Sequence, residues 1–121
     1  MLESKFQSYF TKWLKNVYKK TGIFELKVAR GNTLPFSKIP SHQWESLWHA
    51  KHKTMAFKIP DCGFQNPCDC FCLAGIPAYV VVLFGKNFYL IDIDRILDEN
   101  EEGKSLSEEK ASKIGEKYQI T

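Results

Sequence analysis

Apolar residues recur at helical spacing near the start of the chain. Neighbouring members of this stripe are one, three or four residues apart, so they lie on one side of a helix. Lys19 and Lys20 suit the negative C-terminal end of a helix, and Gly22 marks where it stops. The pattern predicts an amphipathic helix whose buried side carries Leu2, Phe6, Tyr9, Phe10, Trp13, Leu14 and Val17.

Alternating apolar and polar residues predict a strand over residues 23–30. Its apolar positions would face a core, and Glu25 and Lys27 would project from the opposite face. After a loop over residues 31–39, Pro40 favours the start of a second helix over residues 40–51. Further strands are predicted at 54–59, 68–73, 76–84 and 88–93, the last two forming a hairpin closed by Gly85-Lys86-Asn87.

The chain changes character after Asp94. Residues 97–104 are acidic and contain a glycine, which predicts the end of a short helix followed by a loop. The segment Ser105-Leu106-Ser107-Glu108 has the pattern of a capping box and is expected to start another short helix.

Length and order of elements predict a single α+β domain over residues 1–121, with a mixed central β-sheet flanked by helices. Its core would span residues 1–94, followed by an acidic C-terminal extension over residues 95–121. The net charge of +3 hides a split, because residues 1–60 carry eleven basic and three acidic residues and residues 61–121 carry six and eleven. The basic half suggests a polyanion as partner. An ordinary solvated surface with an acidic tail has the same pattern.

No segment approaches the ~18 apolar residues of a membrane span, and the start of the chain has no apolar signal core. We therefore expect an intracellular protein, cytoplasmic or nucleoid-associated, with free thiols and no membrane contact. The spacing C-x5-C-x-C-x-C lacks the paired C-x2-C of tetrahedral zinc sites. Alternate cysteines on a strand behave as small apolar residues. A zinc-stabilised interaction domain is kept as an alternative, with Cys62, Cys68, Cys70 and Cys72 as ligands and His49 and His52 nearby.

The pair Glu25 and Lys27 carries the most informative chemistry in the chain. Side chains two apart on a strand project from the same face about 7 Å apart. The carboxylate can hold a divalent metal, and the amine can steer a water or stand near a developing oxyanion. The same pair also occurs on the solvated face of many strands, so its meaning depends on its surroundings.

Four other polar residues are candidates for the same site. Glu3 stands at the rim of the apolar stripe, where a carboxylate favours a partner such as Lys27 or a metal. Gln43 is expected to point inward from the second helix. Asp69 shares its strand face with the core side of the sheet, and Asp61 ends the preceding strand in a position typical of turns.

A family resemblance rests on two segments. The strand Phe24-Glu25-Leu26-Lys27 is followed by LPFSKIPSHQ at residues 34–43. Together they resemble Holliday-junction resolvases of the recombination protein U type, members of the PD-(D/E)XK nuclease superfamily. The likeness covers residues 23–60 and agrees with the opening helix, whose Glu3 matches the helical glutamate of such resolvases. It implies a restriction-endonuclease-like fold.

One departure from the superfamily concerns its metal-binding Asp, which normally precedes the E-x-K strand. Thr21 and Gly22 leave no room for it here, whereas Asp69 lies downstream. The resemblance then implies a permuted arrangement, in which the strand bearing Asp69 arrives later and takes the same place in the sheet. Asp61 is the alternative ligand.

The resemblance implies a metal-dependent endonuclease that hydrolyses phosphodiester bonds in branched or otherwise structured DNA, a Holliday-junction resolvase of DNA recombination and repair. Asp69 and Glu25 would bind Mg²⁺ or Mn²⁺, and Glu3 would hold a second metal or its water. Lys27 would steer the attacking water or stabilise the oxyanion, and Gln43 would orient the phosphate or water. The residues implied in backbone contacts are Lys5, Arg30, Lys38, Lys51 and Lys53.

Cutting a four-way junction symmetrically requires two active sites, so the resemblance also implies a two-fold homodimer. Short nucleases of this kind are frequent in viral genomes. A nuclease-fold module that binds DNA or protein without cutting is a further alternative.

Overall fold

The structure is a computed structural model that describes residues 1–58 and 70–121. Helix α1 continues into one π-helical turn, and a 3-10 turn follows β2. The elements are α1 (Glu3–Trp13), the π-helical turn (Leu14–Tyr18), β1 (Ile23–Val28), β2 (Thr33–Pro35), the 3-10 turn (Phe36–Lys38), α2 (Ser41–His52), β3 (Thr54–Lys58), β4 (Cys70–Ala74), β5 (Ala78–Phe84), β6 (Asn87–Asp92), α3 (Ile93–Glu102), β7 (Ser105–Ser107), α4 (Glu108–Ile114) and β8 (Glu116–Gln119).

A four-stranded sheet in the order β1-β5-β6-β8 lies at the centre of the described residues. Strand β1 runs parallel to β5, with Ile23 opposite Ala78 and Val28 opposite Leu83. The other two pairings are antiparallel. Strand β5 is almost entirely apolar because both of its faces are covered. The prediction of an α+β fold with a mixed central sheet flanked by helices is confirmed.

Helix α1 covers one face of the sheet with aromatic side chains. Phe6 and Phe10 are buried, and the ring of Phe10 meets that of Phe88 edge-on at 5.9 Å. The predicted apolar stripe forms this contact, except that Leu2 and Val17 are exposed. The opposite face carries a second cluster in which α2, α3 and α4 supply Leu47, Ala50, Ile93, Ile96 and Ala111.

The C-terminal segment is part of the same core. Ile96, Leu106 and Ala111 are fully buried, and β8 forms an edge strand of the central sheet. Strands β2, β7 and β8 were not predicted, because segments of three or four residues carry too little periodicity. The acidic residues of the predicted extension therefore lie on helices and strands that belong to the same folded domain.

Two predicted element boundaries need correction. Strand β6 ends at Asp92 instead of residue 93, because the Asp92 side chain accepts a hydrogen bond from the Asp94 backbone N–H at 2.9 Å and caps α3. The helix predicted to begin at Ser105 begins at Glu108. Ser107 caps it by accepting a bond from the Lys110 backbone N–H at 3.1 Å, while Ser105 lies in β7.

Strands β3 and β4 form a separate antiparallel pair, with Thr54 opposite Ala74 and Lys58 opposite Cys70. The permuted arrangement required β4 to take a place in the central sheet, and this prediction is wrong. Strand β4 pairs instead with β3, and β1 lies beside β5. Asp61 and Asp69 lie outside the described residues. Within the described ranges, no helix is long and apolar enough to span a membrane.

Candidate active site

Glu25 and Lys27 form an ion pair on β1. The Lys27 Nζ lies 3.4 Å from a Glu25 carboxylate oxygen, and the side chains are 14% and 27% exposed for Lys27 and Glu25 respectively. The predicted adjacency of the two side chains is confirmed. Their register partners on β5 are Val80 and Val82, both fully buried. Apolar neighbours reduce the solvent around the pair and strengthen its electrostatic interaction.

Lys27, one member of the pair, lines a surface cavity of about 420 Å³. It lies between the start of α1, the end of β1, β2 and the 3-10 turn. Its charged lining residues are one acid, Glu3, and three cations, Lys27, Arg30 and Lys38. Four residues predicted from distant parts of the sequence therefore meet at one place. Because cations outnumber acids, the cavity favours an anionic ligand. The remaining lining residues are Val28, Thr33, Leu34 and Pro35.

A tight reversal after β1 creates this cavity. Gly31 adopts a left-handed φ of +69°, and Arg30 forms a bridge to Thr33 across the turn. The returning strand β2 pairs with β7, where Leu34 faces Leu106. Residues at the end of the chain thus hold one wall of a cavity formed by residues near its beginning.

Gln43 points inward from α2, as predicted. Its Oε1 atom is buried and has no hydrogen-bond partner among the described residues. A buried acceptor without a donor costs about 1–3 kcal/mol, so this oxygen is suited to a donor that a water or ligand brings. Gln43 does not line the cavity at Glu3 and Lys27.

The predicted metal site can be tested only in part. Within residues 1–58 and 70–121, no three His, Cys, Asp or Glu side chains lie together in a group that could hold a metal. Mg²⁺ uses one or two carboxylates together with waters and substrate phosphates. Two of the predicted carboxylate ligands are described: Glu3 lines the cavity, and Glu25 does not line it but is ion-paired with Lys27, which does. Carboxylate oxygens are donors that Mg²⁺ prefers.

The remaining predicted phosphate contacts have different surroundings. Lys5 is exposed on α1. The Lys53 Nζ lies 5.6 Å above the ring of Trp48, a cation–π distance.

Lys51 is bound within the protein. Its Nζ donates to both oxygens of Asp92 at 2.7 and 2.9 Å and to Asp94 at 2.6 Å. All three of its hydrogens therefore have carboxylate acceptors, which leaves none for a phosphate. Lys51 joins the end of α2 to the start of α3.

Sequence reasoning missed this cluster of Lys51, His52, Asp92 and Asp94. The His52 Nε2 lies 2.7 Å from an Asp94 oxygen. Burial alone would raise the pKa of Asp94, but hydrogen bonds from Lys51 and His52 outweigh it and lower that pKa. The bonds to Asp92 and Asp94 raise the pKa of Lys51. The sequence signal for this cluster was the pair Asp92 and Asp94, two residues apart at the end of an apolar strand.

The cysteines differ from the prediction of apolar packing. Cys70 and Cys72 are both exposed and free on β4, so the expectation that they pack as small apolar residues is wrong. Cys62 and Cys68 lie outside the described residues. A zinc-stabilised domain stays an untested alternative.

In comparisons with known proteins, no family model, curated protein or solved structure matches the chain. The resemblance to junction resolvases therefore stays a prediction.

Proposed function

We propose that the cavity is the active site of a divalent-metal-dependent endodeoxyribonuclease that hydrolyses phosphodiester bonds in branched DNA such as a four-way junction. One observation carries the proposal. Lys27, ion-paired with Glu25 at 3.4 Å, shares a single cavity with Glu3, Arg30 and Lys38. This set combines a carboxylate–ammonium pair with further cations, which is the chemistry that phosphodiester hydrolysis requires.

The cations of the cavity would bind and orient the scissile phosphate. Arg30 presents a planar fork that matches two phosphate oxygens, and Lys38, which also lines the cavity, adds a point charge. Their contacts are to backbone atoms, so they position DNA without reading its sequence. Lys27 would place its ammonium against the oxygen where negative charge develops in the transition state.

Glu25 and Glu3 are the described residues that would hold Mg²⁺ or Mn²⁺, together with Asp69 or Asp61. Such an ion supplies a water of lowered pKa and neutralises charge on the phosphate. Lys27 keeps the Glu25 carboxylate oriented through their ion pair. The buried Gln43 Oε1, which has no hydrogen-bond partner among the described residues and lies outside the cavity lining, would accept a hydrogen bond from a water. Two copies related by a two-fold axis would cut both strands of a junction.

A cleavage assay tests the proposal. Labelled four-way junction, linear duplex and single strand are incubated with Mg²⁺, Mn²⁺ or EDTA, using the unmodified protein, Glu25→Gln and Lys27→Met. We expect metal-dependent cleavage of the junction and a loss of about 100-fold or more in each variant. The exposed residues Glu45 and Lys117 provide matched controls as Glu45→Gln and Lys117→Met, which should keep full activity.

The same assay with Asp61→Ala and Asp69→Ala identifies the third ligand. A loss confined to one of them names it. If Glu25→Gln and Lys27→Met cleave as fast as the unmodified protein, the active site lies elsewhere and the proposal is wrong.

A DNA-binding module without nuclease activity is the second candidate. The excess of cations over acids in the cavity favours it, because phosphate binding needs only positive charge. Junction binding that persists in EDTA, with no cleavage in Mn²⁺, would support this candidate over the nuclease.

A further inference from the structure

A row of lysines lies along the exposed side of α1 and the turn that follows it. We call Lys5, Lys12, Lys15 and Lys19 the α1 lysine row. Lys5 and Lys12 are seven residues apart and share one side of α1. Lys15, in the π-helical turn, lines the same depression as Lys12, and Lys19 follows that turn. All four are exposed, and the opposite side of α1 is buried against the sheet. Only Lys5 was predicted from the sequence to contact DNA.

Lys12, Lys15 and Lys19 have no acidic residue within five positions along the chain. Residues 4–24 contain neither Asp nor Glu. Lys12 and Lys15 are three residues apart and form a like-charge pair, an arrangement that destabilises a helix. Within the described part of the chain, the ion pairs involve other lysines. A surface with uncompensated repulsion of this kind suits a partner that brings negative charge.

Neutral hydrogen-bonding groups lie between these lysines. Gln7, Ser8 and Thr11 line a shallow depression on α1 together with Lys12 and Lys15. The Thr11 hydroxyl donates to the Gln7 carbonyl at 2.9 Å, which leaves its oxygen lone pairs and the side chains of Gln7 and Ser8 facing outward. Hydroxyl and amide groups beside ammonium groups are the usual contacts of a phosphate backbone.

The α1 lysine row starts beside the proposed active site. Glu3, the first residue of α1, lines the cavity, and Lys5 follows two residues later. From Lys5 to Lys19 the row extends at most roughly 20 Å, taking the rise of about 1.5 Å per residue of an α-helix as the upper limit. This length is about half of a DNA duplex turn of roughly 35 Å.

We propose that the α1 lysine row binds the sugar-phosphate backbone of a duplex arm that leads away from the cavity. The inference rests on the proposed function in taking DNA as the polyanion. An anionic membrane would also attract lysines, but amphipathic helices bind membranes with an apolar side. The apolar side of α1 is occupied, since Phe6, Phe10 and Trp13 are buried in the core.

Lys19 allows charge to be separated from stability. It has a left-handed backbone, with φ 54° and ψ 30°, at the C-terminal end of the π-helical turn. Glycine is the preferred residue in that conformation. Lys19→Gly should therefore keep or raise the melting temperature while it weakens DNA binding.

The test measures binding of a labelled linear duplex and a four-way junction by fluorescence anisotropy in EDTA, over a series of salt concentrations. The variants are Lys12→Gln/Lys15→Gln and Lys19→Gly. The double variant should lower the slope of log K against log salt by about 2, and Lys19→Gly by about 1. The charge-matched control Lys113→Gln/Lys117→Gln changes two exposed lysines near the C-terminus and should leave the slope unchanged.

Slopes that do not change in the α1 variants would overturn the inference. So would lysine-dependent binding to vesicles of anionic phospholipid that exceeds binding to the duplex. The two proposals fail separately. Loss of slope without any metal-dependent cleavage refutes the nuclease and keeps the α1 lysine row as a DNA surface. Metal-dependent cleavage with unchanged slopes supports the nuclease and refutes the α1 lysine row as a DNA surface.

Discussion

Lys27 is the less exposed partner of its ion pair, at 14% against 27% for Glu25. Water can solvate a lone Glu25 carboxylate better than a lone Lys27 ammonium. Removing the carboxylate therefore leaves the more costly unpaired charge, because a poorly solvated ion without a partner is strongly unfavourable. The two residues should contribute similarly to catalysis and differently to stability.

We predict that Glu25→Leu lowers the free energy of unfolding by about 2 kcal/mol, whereas Lys27→Met lowers it by less than about 1 kcal/mol. The long apolar side chain of methionine can occupy the space of Lys27 beside Val82. Urea unfolding at neutral pH measures both values. Equal losses, or a larger loss for Lys27→Met, would show that solvation does not govern the pair.

At the same scale, alternation along β1 was sufficient to predict that Glu25 and Lys27 are neighbours. It did not reveal that Lys51 is bound by Asp92 and Asp94. These residues are 41 and 43 positions apart from Lys51, and no local period connects them. From sequence alone, a lysine in a basic segment is predicted to contact the phosphate of a partner. Only the tertiary structure reveals that such a lysine is bound by carboxylates of its own chain.

At the scale of elements, the approach of β8 to the sheet depends on Gly115. A Cβ atom at Gly115 would lie 2.9 Å from the Leu90 carbonyl oxygen and 2.8 Å from a carbon of Ile91. Its φ of −124° is ordinary, so the constraint is steric and not conformational. A side chain here must push α4 and β8 away from β6.

We predict that Gly115→Ala lowers the free energy of unfolding by about 1–3 kcal/mol through overpacking. Gly103 is a matched control, because its nearest neighbour to an added Cβ is the Glu99 carbonyl at 3.9 Å. Gly103→Ala should leave stability unchanged or raise it by about 0.5 kcal/mol. Thermal unfolding of both variants measures these changes in stability. A Gly115→Ala protein as stable as the unmodified protein would contradict the packing argument.

The long elements followed from their patterns. The aromatic stripe predicted α1, and the apolar run at residues 76–84 predicted β5. The short strands were not predicted from sequence patterns, because they form only by pairing with strands from distant parts of the chain. Strand β7 is formed by three residues whose only strand partner among the described elements is β2.

Stability at the scale of the whole molecule should depend on pH through the joint between α2 and α3. The folded pKa of Asp94 is lowered below 3.8, so its contribution is present above about pH 4 and is lost as the pH falls further. The folded pKa of Lys51 is raised above 10.5, so its contribution is present below that pH and is lost in stronger alkali.

We predict that Asp94→Asn lowers the free energy of unfolding by about 1 kcal/mol at neutral pH, a modest value because Asp94 is 40% exposed. The loss should shrink between pH 4 and pH 2, where the original carboxylate also becomes neutral. Asp98→Asn, at an exposed position of α3, is the control and should show neither effect. A constant difference across this pH range would exclude the assigned cause.

The basic and acidic halves of the sequence form different parts of the folded protein. The basic half supplies the cavity cations and the α1 lysine row, while the acidic half supplies α3, α4 and β8. Asp92 and Asp94 neutralise Lys51, and β7 supports the cavity wall through β2. The acidic segment is therefore a structural complement of the basic half.

By itself, the sequence determined the local features of this protein: the amphipathic α1, the buried β5 and the Glu25–Lys27 face of β1. Each depends on a period of two or about 3.6 residues that any chain must follow. Only the tertiary structure decided that β4 pairs with β3 outside the central sheet, that β7 pairs with the cavity-lining strand β2, and that Lys51 is bound within the protein. Those outcomes depend on which distant segments bury each other's apolar surface and neutralise each other's charges, and no local pattern encodes that competition.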